Sequence, residues 1–112
     1  MVHAGLAAQV KRFDICAARG LGVTGNERLV VILQHKHFKD LDTTIVAPLY
    51  RIQELPILET LRPSLSVGRK KLIVAIDRMV SLPKKQLGAA VGTAENIQFE
   101  ILRAIDRLFS GF

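Results

Sequence analysis

The sequence predicts a mainly β domain in which antiparallel strands are followed by one long C-terminal helix. Three observations carry that expectation. Between residues 9 and 77 the apolar residues come in short runs or alternate with polar ones, punctuated by Gly, Pro and Asn, as strands and turns require. From Ala94 onward the apolar spacing lengthens to three and four, the repeat of a helix with one apolar face. The chain has 112 residues, 49% hydrophobic and 23% charged, which suits one small core.

Residues 1–8 are small and weakly patterned, and read as a loose extension before a single domain over 9–112. A first strand is expected from Gln9 to Ala17, where Val10, Phe13, Ile15 and Cys16 mix with charges. Gly20, Gly22, Gly25 and Asn26 then form a flexible turn. Leu29-Val30-Val31-Ile32-Leu33, bounded by turn signals, reads as a strand buried on both faces. Thr43 to Leu49 resumes β composition, with Pro48, which lacks an amide hydrogen, expected at a strand end or edge. Tyr50 to Leu61 reads as an irregular connection. Leu65 and Val67 alternate with serines, Gly68-Arg69 turns the chain, and Lys71 to Asp77 returns, which makes a hairpin with a basic tip. In the last segment Ile97, Ile101, Ile105, Leu108 and Phe109 share a helical face between Ala94 and Phe109. Thr93 is the expected N-cap, Glu95 complements the helix dipole, and Gly111 stops the helix. Glu100, Arg103 and Asp106 are spaced to pair on the outer face. Phe99 and Leu102 lie off the main stripe, on a side open to a second surface or to the core periphery.

The formal charge of +6 is confined to one segment. From residue 62 to 85, Arg62, Arg69, Lys70, Lys71, Arg78, Lys84 and Lys85 face Asp77 alone, while the flanking regions nearly cancel. Such a segment either docks something acidic, nucleic acid or a protein tail, or simply solvates a hairpin and a loop. The lone Cys16 fits a reducing compartment. No apolar run approaches the ~20 residues of a membrane span and the N-terminus lacks signal-peptide features, so a cytoplasmic protein with no membrane partner is expected.

Catalytic signatures are scarce: the sequence holds no nucleophile elbow, phosphate-binding loop, paired cysteines or zinc-protease motif. His35 and His37 fall on one side of an extended segment, where two nitrogens can begin a metal site or line a solvated edge. Cys16 is either a nucleophile without an evident base or an inert buried thiol. No enzyme activity, metal or cofactor is expected from these residues.

Several stretches, in order, resemble the CcdB family of toxins from toxin–antitoxin pairs. They are Arg28 to Gln34, Thr44 to Leu49, Leu61-Arg62-Pro63 through Gly68, Ala75 to Pro83, and Ala104 to Phe112, which together cover most of residues 9–112. The resemblance implies an SH3-like β-barrel with a small accessory sheet and a long C-terminal helix, assembled as a homodimer and associated with plasmid maintenance. It implies a poison that binds the DNA gyrase A subunit and traps cleaved DNA, inhibiting by binding. An antitoxin would neutralise it. By the same resemblance, gyrase contact falls on Ser110, Gly111, Phe112, Asp106, His37 and Phe38. Ser110 stands where the family has tryptophan and Asp106 where it has asparagine, so a member that keeps antitoxin binding but has lost poisoning is the alternative. A basic DNA-binding or regulatory module is a third, although no sequence-specific nucleic-acid motif is present. For the antitoxin, an acidic disordered tail is expected to fold against Arg69, Lys70, Lys71, Lys84 and Lys85.

Overall fold

In a computed structural model that describes residues 10–20, 27–35 and 40–111, the run from Leu29 to Leu33 separates two apolar clusters. Val31 and Leu33 face one cluster with Ile15, Leu49, Val74 and Ile101, whereas Val30 and Ile32 face another with Cys16, Val46 and Leu82. Alternation along a strand sends neighbours to opposite faces, so an unbroken apolar run is what a strand between two cores requires.

The strands are β1 (Asp14–Ala18), β2 (Arg28–Ile32), β3 (Thr43–Arg51), β4 (Ser64–Val67), β5 (Lys70–Val74), β6 (Val80–Pro83) and β7 (Leu87–Thr93), followed by helix α1 (Gln98–Ser110). Every pairing is antiparallel, in the order β4-β5-β3-β2-β1-β7, with β6 also on β3. β3 is nine residues long and serves two sheets: Thr43 to Val46 pair with β6, and Leu49 to Arg51 pair with β5. Pro48 therefore lies inside β3 and not at its end, a correction to the sequence expectation. It sits where β3 passes from one partner to the other, and its carbonyl accepts from the Ala75 amide at 3.0 Å. A residue with no N–H suits that handover.

The path β6-β3-β2-β1-β7 must curl. Laid flat, its two outer strands would be four spacings apart, about 19 Å. The 3-10 turn Lys84–Gln86 joins them in three residues, which from Pro83 to Leu87 reach at most about 14 Å. The result is a half-barrel, bent further by register shifts between β1 and β7 on both sides of Cys16. β4 and β5, with the end of β3, form the small accessory sheet. This is the expected mainly β class with one C-terminal helix.

Several boundaries differ from the sequence reading. β1 starts at Asp14 because Phe13 adopts φ +71°, with its ring buried, its N–H donating to Ile32 O and its carbonyl accepting from Ala94 N, both at 2.7 Å. β5 ends at Val74, and Ile76–Arg78 is a 3-10 turn. β6 and β7 were not expected: Leu87–Thr93 is a Gly- and Ala-rich strand of low β propensity, formed because β1 pairs with it. The helix begins at Gln98 after a 3-10 turn over Glu95–Ile97; Thr93 Oγ1 accepts from Glu95 N at 3.2 Å, but the N-cap positions are Ala94 for that turn and Ile97 for α1, so Thr93 is not the helix cap. Gly111 ends the helix at φ +79°, its N–H bound to Arg107 O at 2.8 Å.

α1 buries Ile101 and Ala104 over the first cluster, flanked by Ile97 and Ile105. The expected stripe stops there. Leu108 and Phe109 are exposed, because the core beneath the helix does not extend under its last turn. Glu100, Arg103 and Asp106 form no ion pairs among the described residues.

Candidate functional site

Three places gather the chemistry that the sequence singled out. The first is the end of α1. Asp106, Ser110 and Gly111 are exposed there, and Phe109 is 73% exposed beside them. Phe99, on the same helix, is 69% exposed. Rings this exposed have most of their apolar area still available for contact with a partner. Phe112, His37 and Phe38, also expected to take part, lie outside the described residues.

The second place is the β4–β5 hairpin. Gly68 holds φ +63° in a two-residue turn, with Val67 opposite Lys70, so Arg69, Lys70 and Lys71 project at the tip and are exposed. Lys84 and Lys85 are not part of this patch. Thr43 pairs with Pro83 at one end of β3 while Arg51 pairs with Leu72 at the other. Eight residue steps of about 3.3 Å separate those ends, or roughly 26 Å. The five basic residues expected to receive one acidic tail thus fall into two groups.

The rest of the basic segment is engaged locally. Arg62 donates to both carboxylate oxygens of Asp77, from Nε at 3.1 Å and from Nη2 at 2.8 Å, and also to Pro56 O at 3.1 Å. The pair holds the Asp77 carboxyl below its ordinary range and pushes the guanidinium upward, in each case chiefly through the shared hydrogen bonds.

Arg78 joins the third place, which sequence reasoning missed. Its guanidinium carbon lies 5.2 Å from the Tyr50 ring centroid and that of Arg28 lies 4.2 Å from it. Glu54 closes the cluster, accepting from Arg28 Nη2 at 3.2 Å and from the Arg51 backbone at 2.8 Å. The Arg51 amide, then Arg28, keep Glu54 ionised to lower pH than usual. The contributing residues are far apart in sequence, so no local motif announces them.

Cys16 is wholly buried, and burial followed by the charge of Asp14 pushes its thiol up to about 11. A thiol so placed is not a ready nucleophile. Among the described residues no three His, Cys, Asp or Glu side chains converge as metal ligands, and His37 is not among those residues. No helix among them is long and apolar enough to cross a membrane.

With that geometry in place, the sequence matches the CcdB protein family over residues 12–111. The chain belongs to the CcdB family. No match is found among curated protein sequences. The fold is similar to that of the toxin MazF-mt6 from Mycobacterium tuberculosis, at 20% identity and TM-score 0.70, covering 86% of this chain and 95% of that one. It is also similar to an endoribonuclease in complex with its cognate antitoxin from a mycobacterial species, at 12% identity and TM-score 0.72, covering 89% and 94%. MazF from Deinococcus radiodurans gives 12% identity and TM-score 0.69, covering 92% and 97%. Family and fold together support a toxin of a toxin–antitoxin system. They also correct the expectation that this CcdB-family chain is no enzyme. Proteins of the same fold are described as endoribonucleases, so the lack of a familiar catalytic motif does not exclude catalysis on this scaffold.

Proposed function

We propose that this CcdB-family chain is the toxin component of a toxin–antitoxin pair, acting in the cytoplasm as a homodimer that engages the gyrase A subunit through the end of α1. The observation that carries the reading is the exposed Phe109, next to Asp106, Ser110 and Gly111, on a helix turn that no core residue covers among the described residues. Ser110 offers only a hydroxyl where the family pattern has an aromatic ring. Phe109, one residue earlier, supplies aromatic area at the same helix end, and a large ring in a desolvated contact is a common energetic anchor. The hairpin tip with Arg69, Lys70 and Lys71 offers an acidic antitoxin tail complementary charge.

Expression in a host whose gyrase matches the chain is the test. Growth arrest with accumulated cleaved DNA, lost in Phe109→Ala, is expected; unaltered growth with the wild-type chain would overturn the gyrase reading. Ser110 favours a second reading, in which the antitoxin contact is kept and poisoning is lost. Under it the wild type is harmless and Ser110→Trp creates toxicity. Failure of Ser110→Trp to change gyrase binding would remove that reading.

A further inference from the structure

The Arg28–Tyr50–Arg78 cluster takes no part in the proposed gyrase contact and has the make-up of a binding site. Continuing the β2–β3 register from Val30 and Pro48 sets Arg28 across from Tyr50, and Tyr50 pairs on its other side with Ile73. Arg28 is fixed by two hydrogen bonds, Nη1 to Leu49 O at 2.9 Å and Nη2 to Glu54 at 3.2 Å, so its plane is held over the ring. Arg78 is held much less. Its one hydrogen bond among the described residues is to the Tyr50 hydroxyl, at 3.4 Å. The adjacent Asp77 carboxylate is already bound by Arg62 through both oxygens. Arg78 is exposed and keeps most of its five donors for an incoming acceptor. Alternation along β5 puts Lys71 on the Tyr50 face, and the β4 partners of Ile73 and Lys71 on that face are Ser64 and Ser66.

We propose that this face binds single-stranded RNA, with a backbone phosphate on Arg78 and an unpaired base stacked on the Tyr50–guanidinium layer. Planar rings and guanidinium planes accept unpaired bases, and a fork of N–H donors fits a phosphate. A paired helix would hide its bases from this ring. An acidic peptide fits less well, because it has an anionic group for Arg78 but no planar base for the Tyr50–guanidinium layer. The Glu54 carboxylate separates RNA from DNA: it is an acceptor, and the ribose 2′-hydroxyl is a donor that DNA lacks.

The inference goes beyond the gyrase reading, and its test is independent of gyrase. Fluorescence anisotropy with the full chain uses a labelled single-stranded RNA of mixed sequence, the DNA of the same sequence, the RNA duplex and a polyglutamate peptide. Single-stranded RNA is expected to bind best, with affinity that falls as salt rises. Arg78→Gln and Tyr50→Leu should each weaken it about tenfold. Arg103→Gln, an exposed charge on α1, should leave it unchanged. Glu54→Ala, which removes the acceptor, should narrow the gap between RNA and DNA. Because Arg78 is exposed, its variant tests the site even if Tyr50→Leu folds poorly. Equal losses in Arg78→Gln and Arg103→Gln would reduce the binding to diffuse charge and overturn the proposal. Tighter binding of DNA, duplex or polyglutamate than of single-stranded RNA would overturn it as well.

Discussion

Helix α1 separates stability from recognition, and two alanine substitutions on it test that division. Ile101 is fully buried in the main cluster. Ile101→Ala removes three carbons, worth about 2.4 kcal/mol in transfer free energy at ~0.8 kcal/mol each. The cavity left behind adds to this, and alanine's better helix propensity returns about 0.4 kcal/mol, for a net loss of about 3 kcal/mol. Phe109 is 73% exposed, so about a quarter of its surface, roughly 50 Å² of ~200 Å², is covered in the monomer. At ~25 cal/mol per Å² the loss is at most about 1.3 kcal/mol, and helix propensity offsets part of it. Urea unfolding of both variants with unchanged m values would read the difference, and gyrase A capture would read function. Ile101→Ala should fall well below the wild-type midpoint. Phe109→Ala should stay near it and lose capture. Equal midpoints would show that the helix is not anchored by Ile101 and would refute the assignment of its two faces.

Cys16 should react with a thiol reagent at pH 8 only as the chain unfolds. With its folded value at about 11 against an ordinary 9.0, the folded state holds a proton that the unfolded state releases, so unfolding free energy should fall as pH rises from 9 toward 11, by up to about 2–3 kcal/mol, and Cys16→Ala should lack this component. Asp77 has the opposite sign: its carboxyl is held below 3.8, so the stability it gives is present above that pH and lost as pH falls through its lower folded value, and Asp77→Asn should flatten the acid limb of a urea-midpoint profile. Gly68→Ala forces a side chain into φ +63° and should cost about 1 kcal/mol by thermal unfolding, although a Cβ there meets no neighbour among the described residues. Charge reversal of Lys70 with Lys71 should weaken an acidic antitoxin tail in calorimetric titration, and unchanged affinity would remove the hairpin from that interface.

Features governed by neighbours in sequence were legible in advance. The five-residue apolar run announced β2, the Gly68 turn announced its hairpin, and Gly111 announced the end of α1. Features set by distant partners were not. β7 has little strand character of its own and exists because β1 supplies its ladder. Helical periodicity placed Leu108 and Phe109 at the right angle but could not show where the underlying sheet ends. Pro48 looked like a terminator because its missing amide rules out one hydrogen bond, and only the change of partner along β3 makes that loss harmless. At the site, the helix-end residues were adjacent in sequence and stayed adjacent. Arg28, Tyr50 and Arg78 meet only through strand register, which no local pattern encodes.

The basic segment shows how far the fold can redistribute a charge that looks uniform in sequence. Seven cations lie between residues 62 and 85, yet they reach four environments. Arg62 is matched by Asp77, Arg78 joins Tyr50, and the remaining five divide between the hairpin tip and the Lys84–Gln86 turn. The nine-residue strand β3 sets the last division, since its two ends are roughly 26 Å apart and screening at physiological salt acts over about 8 Å. The two lysine groups therefore act as separate charges toward a partner. A tail that used both would need about eight extended residues between its acidic clusters. A shorter acidic cluster must choose one end, and the hairpin end, with Arg69, Lys70 and Lys71 exposed and Arg51 and Arg78 at the same end of β3, has the stronger field. RNA on the Tyr50 face and an acidic tail at the tip would then meet at Lys71, and binding of one would weaken the other through that shared charge.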